Sequence, residues 1–113
     1  MKYLMFICGD ENLDLSPEET AAINTATEAW VREATERGVR LEGNRLARTE
    51  TATSVRSRDG ELLVTDGPFA ETREQVGGYD VLECADLDEA LEVAASHPVA
   101  TIGTIELRPF WGP

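Results

Sequence analysis

Val64-Thr65-Asp66-Gly67-Pro68-Phe69-Ala70-Glu71-Thr72 is the stretch from which the rest of the chain can be ordered. An apolar run ends at Val64-Thr65 and meets a tight corner. Gly67 supplies backbone conformations that a Cβ forbids, and it tolerates a following proline. Pro68 fixes φ and withholds an N–H. Phe69 is expected to anchor the corner in the core. Asp66 is able to bond back to the local backbone as an Asx-turn. Just upstream, Asp59-Gly60 separates the strand-like runs 53–58 and 61–65, which predicts a β-hairpin. Downstream, 71–76 is short and polar and reads as one or two helical turns. Gly77-Gly78 then reads as a turn into a strand over 79–84.

Further out, both halves carry the same order of elements. Tyr3-Leu4-Met5-Phe6-Ile7-Cys8 is a continuous apolar run of strand length. Ser16-Pro17-Glu18-Glu19 is a helix start, with Ser16 as N-cap, Pro17 at the first helical position and Glu19 completing a capping box. Ile23, Ala26, Trp30 and Ala34 follow at helical spacing, widened by Ala22 and Ala29, until Gly38 stops the helix. A partly polar strand over 39–46 comes next. Asp86-Leu87-Asp88-Glu89 opens a second helix, whose stripe is Leu87, Ala90, Leu91, Ala94 and Ala95. His97-Pro98 ends it. A last strand spans 104–108, and Pro109-Phe110-Trp111-Gly112-Pro113 is an aromatic tail. Setting the hairpin aside, the order is β-α-β-β-α-β, an α+β fold of the ferredoxin-like arrangement. Residues 3–7 are apolar at both parities, so both sheet faces call for cover. A second copy packed sheet to sheet supplies it, predicting a homodimer.

The composition excludes several classes of function. The 113 residues read as one domain, 1–113. Ten Lys and Arg face 22 Asp and Glu, for a net charge of −12. Such a chain repels phosphate backbones and anionic bilayers, so neither nucleic acid nor membrane is expected as a partner. The two cysteines, Cys8 and Cys84, form no CxxC and read as buried free thiols in a reducing compartment. The short apolar N-terminus runs at once into Asp10 and Glu11, unlike a signal sequence, and a cytoplasmic setting is expected. No metal-ligand spacing, GxGxxG or Walker spacing occurs, so neither metal nor cofactor is expected. Gly77-Gly78 is not a phosphate loop. Ser16 and Ser96 have no base at motif spacing.

From Val64 to Tyr79 the sequence resembles the DGPF-type branch of the YCII-related family. The likeness continues through Asp86-Leu87-Asp88-Glu89-Ala90-Leu91, His97-Pro98 and Ile105-Glu106-Leu107-Arg108-Pro109, and the opening Met1-Lys2-Tyr3-Leu4-Met5 fits as well. The resemblance implies a bacterial protein with a ferredoxin-like fold that dimerises as an α/β barrel. Most members are uncharacterised. Some carry a His–Asp pair proposed as an active site, with its histidine on the first helix, and one relative is a dechlorinating lyase acting on an aromatic-derived ring. DGPF-type genes often lie beside genes for extracytoplasmic-function sigma factors, which implies an alternative role as an accessory regulatory protein. This chain departs from the pattern: 16–37 contains no histidine, and the single histidine of the sequence is His97.

The residues themselves suggest a small-molecule pocket at the dimer barrel, serving a cofactor-free lyase- or isomerase-like enzyme or a binder. Asp66 reads as a general base or ligand-binding carboxylate, or else as an Asx-turn. His97 reads as a general acid/base, or as a cap on the last carbonyls of the second helix. Arg108 reads as a ligand for a carboxylate, or as a partner of Asp66 or a surface acid. Tyr79 reads as a hydroxyl in the cleft or a core ring. Trp30 reads as core or as pocket lining. Gly67, Pro68, Phe69, Gly77 and Gly78 are assigned to structural turns.

Overall fold

A computed structural model describes residues 1–112; Pro113, the end of the expected aromatic tail, lies outside them. The chain runs β1 (Lys2–Gly9), α1 (Pro17–Glu36), β2 (Arg40–Arg45), a 3₁₀ turn (Thr49–Thr51), β3 (Thr53–Arg58), β4 (Glu61–Asp66), β5 (Gln75–Glu83), α2 (Leu87–Ala95), a second 3₁₀ turn (Pro98–Thr101) and β6 (Thr104–Pro109). Four strands form an antiparallel sheet in the order β2-β5-β1-β6, and β3-β4 pair apart from it. With that hairpin set aside, the order is the ferredoxin-like one, α+β as expected.

Local chemistry explains the elements. Ser16 Oγ accepts the Glu19 N–H at 3.1 Å, and Glu19 Oε1 accepts the Ser16 N–H at 3.1 Å. That capping box stabilises the start of α1 by about 1 kcal/mol. Asp86 caps α2 by accepting the Glu89 N–H at 2.9 Å. The Glu89 carboxylate reaches one residue further back than expected, to the N–H of Ala85. Asp59 and Gly60 both have positive φ, 52° and 79°, which makes the β3-β4 connection a type I′ turn.

The helices cover one face of the sheet. Strand alternation turns Tyr3 and Met5 of β1 and Leu82 of β5 toward them, where they pack with Trp30, Ala34, Val39, Cys84, Ala90, Val93 and Ala94. Both helical stripes differ from the expected ones. On α1, Ala22, Ala26 and Ala29 are exposed, and the inward line is Ile23, Thr27, Trp30, Val31 and Ala34. On α2, Leu87 and Leu91 face out and Val93 faces in. On α2 the small residues Ala90 and Ala94 are the buried ones, so there side-chain size overrides apolarity.

Three readings of the central stretch are corrected. Residues 71–74 form no helix, because β5 begins at Gln75 and takes up the chain. Gly77 and Gly78 are not a turn: they lie inside β5, where a Cβ on Gly78 would come 3.2 Å from the Asn44 carbonyl oxygen. Phe69 anchors nothing in the core and is 82% exposed. The corner is held by backbone instead, with the Gly67 N–H donating to Ala52 O at 2.7 Å and Ser54 Oγ donating to Gly67 O at 2.8 Å. Gly67 adopts φ +99°, the left-handed geometry expected of it.

The opposite face of the sheet carries Leu4, Phe6, Tyr79 and Val81, opposed in register across β1 and β5. No helix covers it, and the thinnest dimension of the chain is 18 Å. One glycine of the sheet is required by contact. A Cβ on Gly43 of β2 would run into the Asp80 carboxylate, the Tyr79 carbonyl oxygen and the Arg40 guanidinium. Gly43→Ala should lower the unfolding free energy by about 1–3 kcal/mol, the usual cost of overpacking, read as a drop in the urea midpoint at unchanged m-value.

Candidate functional site

The middle of α1 does not close down on the sheet. Ile23, Asn24, Thr27 and Val31 roof a cavity of about 380 Å³ whose floor is β5 with the adjoining parts of β1 and β2. Its walls are mainly aliphatic, and two buried titratable side chains, His97 and Asp80, also line it.

His97 follows α2 directly and is 2% exposed. It does not cap the carbonyls of α2, as one reading had it. Its Nδ1 accepts the Val99 N–H at 3.1 Å and so caps the second 3₁₀ turn. Pro98 makes that geometry economical, since it fixes φ and leaves no N–H to satisfy. Trp30 packs edge-on against the imidazole with ring centroids 4.8 Å apart. Burial pushes the His97 pKa down to about 4, so the ring is neutral at pH 7. With Nδ1 occupied as an acceptor, the proton of the neutral ring sits on Nε2. That Nε2–H is buried and has no partner among the described residues. A buried donor left unpaired costs about 1–3 kcal/mol, and His97 is among the residues that line the cavity.

Asp80 is an acid at the inward parity of β5, in phase with Leu82, and 3% exposed. Arg40 of β2 donates from Nε to its Oδ1 at 2.6 Å. The space for this pair is the space a side chain at Gly43 would fill. Burial raises the Asp80 pKa, and the hydrogen bond and charge of Arg40 offset only part of that rise. Among the described residues the second carboxylate oxygen makes no hydrogen bond. The cavity lining thus includes one neutral imidazole and one carboxylate held by arginine.

Of the residues singled out in the sequence, only His97 brings a functional side chain into this cavity. Asp66 ends β4, is exposed, and lies in a separate polar hollow with Arg48, Glu71 and Arg73. Its carboxylate makes no hydrogen bond or ion pair among the described residues, so it closes no Asx-turn. The physical reason is the hairpin, which carries the corner away from the sheet. Tyr79 contributes backbone to the cavity floor; alternation turns its ring to the opposite face, beside Phe6. Arg108 is on that opposite face too, paired with Glu106 and 5.5 Å above the Phe6 ring. Trp30 is core: its Nε1 donates to Val93 O at 3.0 Å and to Ser96 Oγ at 3.1 Å. Both cysteines are free thiols; Cys84 is buried and Cys8 half-buried, and burial raises both pKa values. No group of three or more metal-binding side chains occurs among the described residues, and no helix there is long and apolar enough to cross a membrane.

Asp80 and Arg40 escaped the sequence reading. The signal was present: an acid in phase with Leu82 and Cys84. It was masked because Tyr79 and Val81 make the other parity equally apolar.

A ferredoxin-like sheet with a small lined cavity beneath one helix defines a class of small α+β protein able to enclose a compact ligand. The YCII-related domain matches residues 1–111, and the chain belongs to that family. An uncharacterised protein of Rhizobium meliloti is 37% identical over 113 residues, covering 96% of this chain and 91% of its own. Among solved structures, 5-chloro-2-hydroxyhydroquinone dehydrochlorinase of Burkholderia phenoliruptrix AC1100, in complex with 2,5-dihydroxybenzoquinone, superposes with a TM-score of 0.59 at 10% identity. The match covers 100% of this chain and 96% of that one, and it shows a shared fold.

The titration of His97 gives a signed expectation. An unfolded imidazole takes its proton near 6.5 and the folded one only at about 4. Between those values the unfolded chain binds more protons, so the contribution of His97 to stability is present above 6.5 and is lost as the pH falls toward 4. Asp80 works in the opposite direction, because its folded carboxyl holds a proton to higher pH than the unfolded one. The His97 part is isolated by comparison with His97→Gln. The stability difference between wild type and variant should shrink by about 3 kcal/mol between pH 7 and pH 4, as followed by urea denaturation.

Proposed function

We propose that this protein binds a small oxygenated ring compound in the cavity beneath α1, with His97 Nε2–H donating to a carbonyl or phenolic oxygen of the ligand. The carrying observation is the unpartnered Nε2–H, held at a single tautomer by Val99 and at a single ring orientation by Trp30. Asp80 is the complementary acceptor for a ligand hydroxyl. A cavity of about 380 Å³ falls at the small end of ligand sites and suits a single ring. Two supports come from outside the chain: the structural neighbour is a dehydrochlorinase bound to a dihydroxyquinone, and its fold is shared across the full length.

The arrangement also supports cofactor-free proton transfer of the lyase or isomerase type. A carboxylate of raised pKa is a stronger base than a solvated one. In this reading Asp80 takes a proton from a carbon or hydroxyl next to a ligand carbonyl. The bonding electrons move into the carbonyl system, and the oxygen that gains charge receives the hydrogen bond of neutral His97. Return of the proton at another atom completes an isomerisation; departure of a leaving group with its electron pair completes an elimination. Arg40 holds the carboxylate in place throughout.

Isothermal titration with 2,5-dihydroxybenzoquinone and a set of hydroxylated benzoates and quinones tests the reading. His97→Phe keeps a ring against Trp30 and removes the donor, so affinity for a bound probe should fall at least tenfold, about 1.4 kcal/mol. Asp80→Asn should weaken the hydroxylated probes selectively, and Asp66→Asn should change nothing. Equal affinity in wild type and His97→Phe would overturn the assignment.

A further inference from the structure

The charges that line the cavity are not all matched. Three acids, Asp10, Glu11 and Asp80, are among the lining residues, and each pairs with an arginine of its own chain. Asp80 holds Arg40 at 2.6 Å, Asp10 meets Arg73 at 3.6 Å, and Glu11 meets Arg48 at 3.9 Å. Glu11 is occupied further, accepting the Thr49 N–H at 2.9 Å and the Thr49 hydroxyl at 2.8 Å. Arg45 also lines the cavity and pairs with no carboxylate among the described residues. It is the one charge of the lining left without a counter-charge.

Strand register explains where Arg45 stands. Gly78 of β5 lies opposite Ile7 on β1 and opposite Arg45 on β2, so the three form one row across the sheet. The row of Met5, Asp80 and Gly43 lies two residues away along each strand. Residues two apart share a face, so Arg45 has the inward parity of Asp80. Gly78 carries no side chain, which leaves the floor bare between Ile7 and Arg45. Arg45 ends β2 and is exposed, which places it where the cavity opens to solvent.

We infer that the ring compound bound in this cavity carries a carboxylate, and that Arg45 is the residue that selects for it. The inference rests on the ring-compound reading of the cavity and narrows it to hydroxylated ring acids. A guanidinium offers a planar pair of N–H donors that matches a carboxylate. A net charge of −12 repels an anionic ligand, and an unpaired cation at the opening reverses that repulsion locally. No other group of the lining does the same work: Arg40 is already bonded to Asp80, and His97 is neutral at pH 7. A carboxylate turned toward the aliphatic walls loses its hydration without a partner, so the acid group belongs at the Arg45 end.

Isothermal titration with matched pairs tests the inference, each hydroxybenzoate against the hydroxybenzamide of the same substitution. The amide keeps the ring and its hydroxyl and removes the charge. At pH 7 wild type should bind the acid of a pair about tenfold tighter, the usual worth of a charged hydrogen bond. Raising the salt from about 50 to about 300 mM should narrow that gap. Arg45→Gln should abolish the gap by weakening the acid alone, and Arg45→Lys should restore part of it. Arg32→Gln removes the same charge from an exposed position on α1 outside the cavity lining and should leave the gap unchanged. That control separates a local contact from net charge. Acid and amide bound equally by wild type, or weakened equally by Arg45→Gln, with His97→Phe still lowering both, would sink the carboxylate assignment and leave the ring-compound reading standing. Binding of neither member of any pair would sink both.

Discussion

Trp30 is the contact on which the two halves of the helical layer depend. Its indole N–H reaches from α1 to the carbonyl of Val93 and the hydroxyl of Ser96 at the end of α2. Its ring also stands against His97. Helix α2 spans only Leu87–Ala95 and buries mainly alanine and valine, so it has little area of its own with which to dock. A buried tryptophan contributes several kcal/mol, and here that contribution is spent at the junction of α1, α2 and the cavity wall. Packing and site geometry are thus coupled through one side chain. The tautomer of His97 is set by Val99 and its ring plane by Trp30, before any ligand is present.

The same coupling explains which parts of the fold were legible in the sequence. Helix starts were, because caps are local: Ser16, Glu19 and Asp86 act within three or four residues of themselves. The hairpin turn was too, because Asp59-Gly60 requires positive φ at both positions. The helical faces were legible only in period and not in phase, since alanines at close helix–sheet approaches are buried while Leu87 and Leu91 face solvent. Glycines were read one level too locally. Gly77 and Gly78 look like a turn in isolation, but both lie inside β5, and at Gly78 the strand meets β2 closely. The corner at Asp66 drew attention for its turn chemistry, and that chemistry is real in Gly67. Its distance from the cavity is a tertiary fact, set by a hairpin that leaves the sheet. His97 was visible as the single histidine of the chain. Its partner across the cavity was not, because an acid in a strand announces itself only once the inward parity is known.

The Arg40–Asp80 pair makes sense as something other than a stabilising salt bridge. A buried ion pair seldom repays its desolvation when well-packed apolar residues are the alternative. The upward shift of the Asp80 pKa shows the same thing from the other side: the carboxylate remains undercompensated even with arginine bonded to it. Adjacent Gly43 leaves room for the pair and forgoes a side chain of its own in doing so. Two strands thus bend their composition around one carboxylate that faces an unfilled space. A core built for stability alone places leucine or valine at such a position. The departure is what a binding or proton-transfer site requires: a group held in position, partly desolvated, and not fully satisfied until a ligand arrives.

His97 Nε2 and the apolar face of the hairpin are two forms of the same deficit at different scales. One is a single donor without an acceptor; the other is a ribbon whose Val55, Leu62 and Val64 are exposed, without a covering layer. Folded chains rarely leave either uncorrected, because a buried unpaired donor costs about as much as a lost hydrogen bond and a bare amphipathic hairpin has nothing to hold it. No residue of the hairpin lines the cavity, so the two deficits call for different occupants. A small oxygenated molecule matches the first in size and polarity. β5 divides its side chains between the two faces of the sheet: Asp80 faces the cavity, while Tyr79 and Val81 lie on the opposite face. A change on one side of β5 leaves the other side's chemistry in place, since neighbouring residues of a strand point to opposite faces.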